Sequence, residues 1–321
     1  MLKTDVTWPD TFRYQTNSEW EPAGFFSEAL CNATSFDLML GFFSSTAINV
    51  LSYGFASFIY NGGKMRMIIN DILSSDDVSA ITMAHEGNDL PFFDLNNLEQ
   101  LSYTLNKRDR HFFECLAWLI RNNRIEIKIV RMVNGSGIAH TKCGTFSDGI
   151  NRIGFEGSVN FSLSAFMHNK ESLGVYCDWN GPADMGRING IQKSFNNAFN
   201  GFDSDVEFVE AVDLKRYIHN NYTPKNLEEL LDDELLLIED GESQDIPDTV
   251  KAALNKAKIK VNRAIEKIRG VEQAKASEPR FPYPTGPRPY QQQAFENWKT
   301  SQQGLFAMAT GTGKTLTSLN Q

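Results

Sequence analysis

The order of strand-like and helix-like stretches in the first 222 residues restricts the fold more than any other feature of the sequence. Short apolar runs that are typical of strands alternate with segments whose apolar residues recur at helical spacing. The predicted strands are Ser35–Gly41, Lys64–Asn70 and Ile125–Val133, and the predicted helices are Thr46–Tyr60, Asp76–His85 and Arg110–Asn122. This alternation predicts an α/β fold in which a mixed β-sheet is flanked by helices.

A hairpin is predicted in the middle of the same segment. Ala139–Phe146 and Arg152–Asn160 are strand-like, and the step Asp148-Gly149 lies between them. An Asp-Gly pair between two such runs is a strong hairpin signal, because glycine tolerates the backbone of a tight turn. A further strand, Ser172–Trp179, follows a short helical stretch.

The chain changes character after residue 222. Residues 226–249 contain ten acidic residues and no Lys or Arg, whereas Val250–Arg269 is basic and has apolar residues at helical spacing, with Gly270 as the expected end of the helix. The two oppositely charged helices could pair with each other, or the segment could be a solvated linker. We therefore predict three parts, which are a domain at 1–222, a charged helical linker at 223–285 and the start of a further domain at 286–321.

The net charge of −9 does not exclude nucleic acid as a partner. Leaving out residues 226–249 leaves 30 acidic and 31 basic residues, which is close to neutral, and only the local field at a site matters. The polar start, the absence of a long apolar run and four scattered cysteines without a C-x-x-C pair predict a soluble, cytoplasmic chain. We expect reduced thiols and neither disulfide nor zinc site from these cysteines.

A phosphate-binding loop is predicted near residue 311. Gly311 and Gly313 precede Lys314 and Thr315 and follow the apolar run Leu305–Met308. Glycines allow backbone N–H groups to surround phosphate oxygens, a lysine reaches the β- and γ-phosphates, and a threonine hydroxyl holds Mg²⁺. A strand that is followed by a glycine loop and then by the start of a helix therefore predicts ATP binding.

This loop resembles the first motif of superfamily 2 helicases of the DEAD/DEAH type that occur in restriction and phage-defence systems. Upstream, Arg288-Pro289-Tyr290-Gln291 resembles the adenine-reading entry of the same helicases, which implies that Gln291 contacts adenine. Phosphoryl transfer also needs a metal-holding carboxylate and an arginine, and neither follows Thr315 within this chain, which resembles a helicase cut just after that motif. ATP and Mg²⁺ are therefore expected for the complete helicase only, and ATP hydrolysis is not expected here.

A second group of polar residues suits phosphodiester chemistry. His140 and Lys142 are two residues apart, and so are Ser158 and Asn160, so each pair projects from one face of its strand. The hairpin brings the pairs alongside each other. An imidazole can act as the nucleophile, while lysine and asparagine neutralise the charge that develops on the phosphorus centre.

The pattern H-x-K followed by G-S-x-N resembles the phospholipase D-like superfamily. Its nuclease branch has a glutamate eleven residues after the asparagine, which corresponds to Glu171. The resemblance covers most of residues 25–180 and implies a phosphohistidine on His140 without a metal ion. It also implies that Lys142 and Asn160 bind phosphate, that Ser158 supports it and that Glu171 orients an active-site histidine. Asp148 is left out, because it serves the turn.

Because the superfamily builds its site from two such motifs and this chain carries one, the resemblance implies a homodimer. The two resemblances imply a phospholipase D-like nuclease domain at 1–222 and the N-terminal fragment of a superfamily 2 helicase ATPase domain at 286–321. The leading hypothesis is a metal-independent DNA nuclease, a hydrolase of phosphodiester bonds that normally works with a helicase in restriction or phage defence. A methyltransferase or specificity subunit is a possible further partner, and no membrane is expected. The alternatives are an inactive or truncated DNA-binding or dimerisation module and, less favoured, a phospholipid phosphodiesterase.

Overall fold

The computed structural model describes residues 1–40, 51–70, 107–133, 142–157, 172–209, 218, 222, 225–277 and 288–301. The chain forms two compact units, Met1–Ile265 and Glu266–Gln321. The predicted domain boundaries at residues 222 and 285 stay predictions. Among the helices of the described residues, none is both long and apolar enough to cross a membrane.

The described strands are β1 Arg13–Gln15, β2 Ser35–Leu40, β3 Lys64–Asn70, β4 Ile125–Met132, β5 Lys142–Ser147, β6 Arg152–Gly157, β7 Ser172–Cys177 and β8 Val206–Val209. The described helices are α1 Leu2–Asp5, α2 Pro22–Leu30, α3 Phe55–Tyr60, α4 Lys107–Arg121, α5 Pro182–Phe199, α6 Leu227–Glu242, α7 Asp248–Ser277 and α8 Pro289–Ser301. A 3₁₀ turn, Asp178–Asn180, precedes α5. The predicted helix Asp76–His85 lies outside the described residues.

The eight strands form one sheet in the order β1-β7-β6-β5-β2-β3-β4-β8. The pairs β2–β3 and β3–β4 are parallel, and every other neighbouring pair is antiparallel. The predicted α/β class with a mixed sheet flanked by helices is confirmed. The predicted strands are present among the described residues, where β5 covers Lys142–Ser147 and β6 covers Arg152–Gly157. The remaining residues of these two predictions, 139–141 and 158–160, lie outside the described residues.

One predicted helix, Thr46–Tyr60, is interrupted in its described part. Gly54 has φ 91°, and α3 begins only after it, at Phe55. A left-handed residue breaks the ladder of helical hydrogen bonds. A side chain at this position would also collide with the carbonyl oxygen of Ser27, 2.7 Å from a built Cβ. The close approach of α2 therefore explains both the glycine and the break.

An aromatic core covers one face of the sheet. Phe36 of β2 stacks on Phe146 of β5 with ring centroids 4.0 Å apart, and Phe26 of α2 meets Phe155 of β6 at 5.2 Å. These rings are almost completely buried, and burial of each contributes roughly 2–3 kcal/mol. The other face packs against α5, whose Ile191 and Phe195 contact β2 and β5 through Met39 and Cys143.

The two charged helices pair with each other, which is one of the alternatives that the sequence leaves open, and α6 and the first part of α7 belong to the first unit. Lys258 of α7 lies 3.3 Å from Glu239 and 3.0 Å from Glu242 of α6. Leu230, Leu237 and other apolar residues of α6 are buried. Apart from Glu234, which is buried, the acidic side chains of α6 are at least partly exposed, while its apolar residues join the core.

The predicted end of the basic helix at Gly270 is wrong, because α7 continues to Ser277. A glycine inside a helix costs only about 1 kcal/mol. The sequence Glu272-Gln273-Ala274-Lys275-Ala276 consists of strong helix formers, and these residues compensate for that cost.

Candidate active site

Three strand ends lie side by side where the predicted catalytic residues join the sheet. Lys142 is the first residue of β5, Gly157 is the last of β6, and Ser172 is the first of β7. The register pairs Lys142 with Gly157 and Gly157 with Leu173. Neighbouring strands are about 4.8 Å apart, so these three ends are within one short row across the sheet.

Gly157 is required by the close approach of β6 and β7. A Cβ built at Gly157 would lie 2.2 Å from the carbonyl oxygen of Ser172 and 3.0 Å from the Cα of Leu173. Backbone atoms cannot rotate away as a flexible side chain can, so any larger residue would push the strands apart. The first position of the G-S-x-N pattern therefore has a structural reason to be glycine.

Lys142 is buried, with 8% of its surface exposed. Alternation along β5 places it on the face of Phe146, whereas Cys143 packs beneath α5. Burial raises the electrostatic effect of an ammonium group, because the surrounding dielectric is low. This position suits the binding of an anionic phosphate.

The other predicted catalytic residues, His140, Ser158, Asn160 and Glu171, lie outside the described residues. Their predicted grouping with Lys142 therefore stays a prediction. The sequence places His140 two residues before Lys142, Ser158 directly after Gly157, and Glu171 directly before Ser172.

Asp148 serves the hairpin turn. Its carboxylate accepts hydrogen bonds from the backbone N–H groups of Ile150, Asn151 and Leu2, at 2.9, 2.7 and 2.8 Å. Partial burial acts to raise the pKa of Asp148, but these hydrogen bonds outweigh it and lower the pKa. Gly149 has φ 88°, as a tight Asp-Gly turn requires. This confirms the role predicted for Asp148.

A groove of about 630 Å³ borders the ends of β6 and β7, since Gly157 and Ser172 contribute to its wall. It also contains Arg13, whose Nε donates to the Ser172 hydroxyl at 2.9 Å. Arg187 also lines the groove, and its guanidinium lies 5.0 Å from the centre of the Tyr176 ring. The groove thus places two guanidinium groups and an aromatic ring beside Gly157 and Ser172, on the α5 face of the sheet, whereas Lys142 lies on the other face.

The groove also holds carboxylates that moderate its charge. Arg187 forms an ion pair with Asp184 at 3.1 Å, and the Tyr176 hydroxyl donates to Glu156 at 2.6 Å. Partial burial and then this hydrogen bond raise the pKa of Tyr176 to about 12. The tyrosine therefore remains a neutral ring whose hydroxyl proton is directed at Glu156.

Sequence reasoning missed a buried polar network beneath α5. Asp37 of β2 accepts hydrogen bonds from Arg66 of β3 at 2.8 and 2.5 Å and from Gln192 of α5 at 2.7 Å. The hydrogen bonds to Asp37 are the main reason why the pKa of Arg66 is raised. The sequence feature that indicates this network is the aspartate within the apolar run of β2, because a buried charge needs a partner.

Of the residues predicted to bind ATP, only Gln291 lies within the part of the chain that the structure describes. Gln291 is 5% exposed and lies in the first turn of α8, where its side-chain oxygen accepts from the Arg288 N–H at 2.9 Å. This is the contact that a residue at the third helical position makes with the residue before the helix. The predicted contact of Gln291 with adenine stays a prediction, and Gly311, Gly313, Lys314 and Thr315 lie outside the described residues.

Residues 285–321 match the family model described as type III restriction enzyme, res subunit. This match supports a helicase-related segment over the residues that it covers. Comparison with curated proteins gives no match. The solved structures that match include phosphatidylserine synthase from Haemophilus influenzae Rd KW20, with 14% sequence identity and a TM-score of 0.37. That alignment covers 71% of this chain and 46% of the synthase chain.

Proposed function

We propose that this chain is a metal-independent nuclease that cleaves DNA through a phosphohistidine and is linked to a helicase in restriction or phage defence. His140 attacks the phosphorus atom, a P–N bond forms, and the P–O bond to the leaving nucleotide breaks. Water then attacks the phosphohistidine, which releases the product phosphate and restores the imidazole. Lys142 and Asn160 stabilise the charge on phosphorus, Ser158 supports the phosphate, and Glu171 orients a histidine.

The observation that carries this proposal is the row formed by Lys142, Gly157 and Leu173. All the proposed catalytic residues lie within a few positions of this row in the sequence. A hydrolytic site assembled from separate segments needs such convergence, since the reacting groups must meet within a few ångströms. The requirement for glycine at position 157 supports the same site, because the backbone of β7 approaches this position too closely for a side chain.

The preference for DNA rests on two further observations. The restriction-enzyme family that matches residues 285–321 acts, by its description, in restriction, and restriction is a reaction on DNA. The groove beside the strand ends contains Arg13 and Arg187, and guanidinium groups bind phosphates well. An aromatic ring in the same groove can also stack on a base.

We further propose that two copies of the chain share one site, because the superfamily mechanism needs two H-x-K motifs and this sequence carries one paired with G-S-x-N. One histidine then acts as the nucleophile, and the other protonates the leaving oxygen. A methyltransferase or specificity subunit is the proposed further partner for recognition of the DNA.

Cleavage of supercoiled plasmid in EDTA tests the reaction. We expect nicking or cutting by the wild-type chain, and loss of it in His140→Ala. His219→Ala is the control, because His219 belongs to no motif. An unfolding curve recorded in the same EDTA buffer separates a loss of chemistry from a loss of structure.

Three outcomes contradict different parts of the proposal. Cleavage that requires Mg²⁺, or that persists in His140→Ala, contradicts the phosphohistidine mechanism. DNA binding without cleavage by a folded wild-type chain supports an inactive binding module instead. Hydrolysis of phospholipid vesicles without cleavage of DNA would identify the other substrate class, and a monomer by light scattering would contradict the shared site.

A further inference from the structure

A cluster of three potential metal ligands joins α4 to α6, apart from the row of strand ends. His111 and Glu114 are three residues apart on α4, so they lie on the same side of the helix. Asp233 lies on α6. One ring nitrogen of His111 and one carboxylate oxygen each of Glu114 and Asp233 all lie within 4.8 Å of one another.

The histidine of this cluster is deeply buried and incompletely hydrogen-bonded. His111 is 2% exposed, and its Nε2 lies 3.6 Å from the Cys115 sulfur and 3.8 Å from a carboxylate oxygen of Glu234. Its Nδ1 is buried and has no hydrogen-bond partner within the part of the chain that the structure describes. A buried ring nitrogen without a partner is unfavourable, and coordination to a metal ion through this nitrogen would satisfy it.

A cation already bridges the two carboxylates. The Lys225 ammonium lies 2.8 Å from Glu114 and 2.5 Å from Asp233. Its side chain is 28% exposed, so its flexible stem gives the ammonium a way out to solvent. The two carboxylates therefore form a cation site that lysine occupies and that a metal ion could take over.

We propose that His111, Glu114 and Asp233 bind a zinc ion, which competes with the Lys225 ammonium for the two carboxylates. One imidazole nitrogen and two carboxylate oxygens are ligands that Zn²⁺ accepts, and water would complete a tetrahedral site. Mg²⁺ and Ca²⁺ prefer oxygen ligands alone, so the imidazole selects against them. Binding leaves the imidazole neutral and both carboxylates ionised, and the ammonium moves to solvent.

The bound ion would fasten α6 to α4, two helices of the first unit. This role differs from catalysis, and it does not depend on the proposed nuclease function. The nuclease site is proposed to need no metal, whereas this site would add stability.

Zinc titration of the full chain tests the proposal, with a chromophoric chelator as competitor and the unfolding midpoint as a second readout. We expect one zinc ion per wild-type chain. Lys225→Ala removes the competing cation, so it should bind zinc at least tenfold more tightly, and zinc should restore the stability that this variant loses. Asp233→Asn keeps the shape of the side chain and removes one charged ligand, so it should weaken binding at least tenfold.

A second lysine provides a matched control. Lys258 also bridges two carboxylates and is 29% exposed, but the cluster of potential ligands includes neither it nor its partners. Lys258→Ala should leave zinc affinity unchanged. The proposal is overturned if the wild-type chain binds no stoichiometric zinc. It is also overturned if Asp233→Asn binds as tightly as the wild type, or if Lys258→Ala tightens binding as much as Lys225→Ala does.

Discussion

Adding one methyl group at Gly157 should separate the ends of β6 and β7. A Cβ built there lies 2.2 Å from the Ser172 carbonyl oxygen, whereas carbon and oxygen atoms in such contacts usually lie about 3.3 Å apart. The strands must therefore move by about 1 Å. Overpacking of this kind costs roughly 1–3 kcal/mol, and a displacement of about 1 Å can lower a catalytic rate about 100-fold.

We therefore expect Gly157→Ala to lower the free energy of unfolding by about 2 kcal/mol and kcat for plasmid cleavage about 100-fold. Urea denaturation measures the first quantity, and single-turnover cleavage measures the second at a temperature where the variant is folded. Gly190→Ala on α5 is the control, because no atom lies within 4 Å of a Cβ built there. It should cleave at the wild-type rate and be slightly more stable.

Wild-type stability of Gly157→Ala would refute the claim that the two strands approach too closely for a side chain. A destabilised but folded variant with wild-type kcat would instead refute the link between these strand ends and catalysis. The two measurements thus test the packing and the site separately.

Three other perturbations test particular contacts. Asp37→Ala leaves the partly exposed Arg66 guanidinium without its main partner, so urea denaturation should show a loss of about 2 kcal/mol. Asp148→Asn should flatten the dependence of unfolding free energy on pH below about pH 4. The lowered pKa of Asp148 means that its contribution is present above the unfolded pKa and lost as pH falls through the folded one. Replacement of Arg13 and Arg187 by alanine should weaken DNA binding and reduce the slope of log affinity against log salt by about one per arginine, measured by fluorescence anisotropy at several salt concentrations.

Local sequence patterns predict an element correctly where residues close together in the sequence determine its structure. Lys64–Asn70 is an apolar run that follows Gly62-Gly63, and it forms β3 over the predicted residues. The Asp148-Gly149 turn was predictable for the same reason, since the side chain and the backbone that it caps are two or three residues apart.

Contacts between distant segments could not be predicted. The break at Gly54 depends on α2, which approaches it from 27 positions earlier at Ser27. In the sequence, Glu234 is one of ten acidic residues in the stretch 226–249. In the structure it is completely buried and accepts hydrogen bonds from Ala56 and Ser57 at the start of α3. Only the fold brings these residues together.

The candidate site likewise combines features that local sequence patterns predict with contacts that only the fold creates. The spacing of H-x-K and G-S-x-N pointed to Lys142 and to Gly157, because the motif is local. The pairing of Gly157 with Leu173 depends on the register between β6 and β7, which the sequence pattern does not specify. The Asp37–Arg66 pair was missed because its members lie on different strands, 29 residues apart.

Identification of the residue that becomes covalently attached to DNA tests the central claim most directly. The wild-type chain is mixed with an oligonucleotide substrate, quenched during turnover at alkaline pH and digested, and the adduct is located by mass spectrometry. We predict an acid-labile adduct, stable to alkali, on the peptide that contains His140. An adduct on Ser158, or cleavage that continues with no covalent intermediate, would contradict the account.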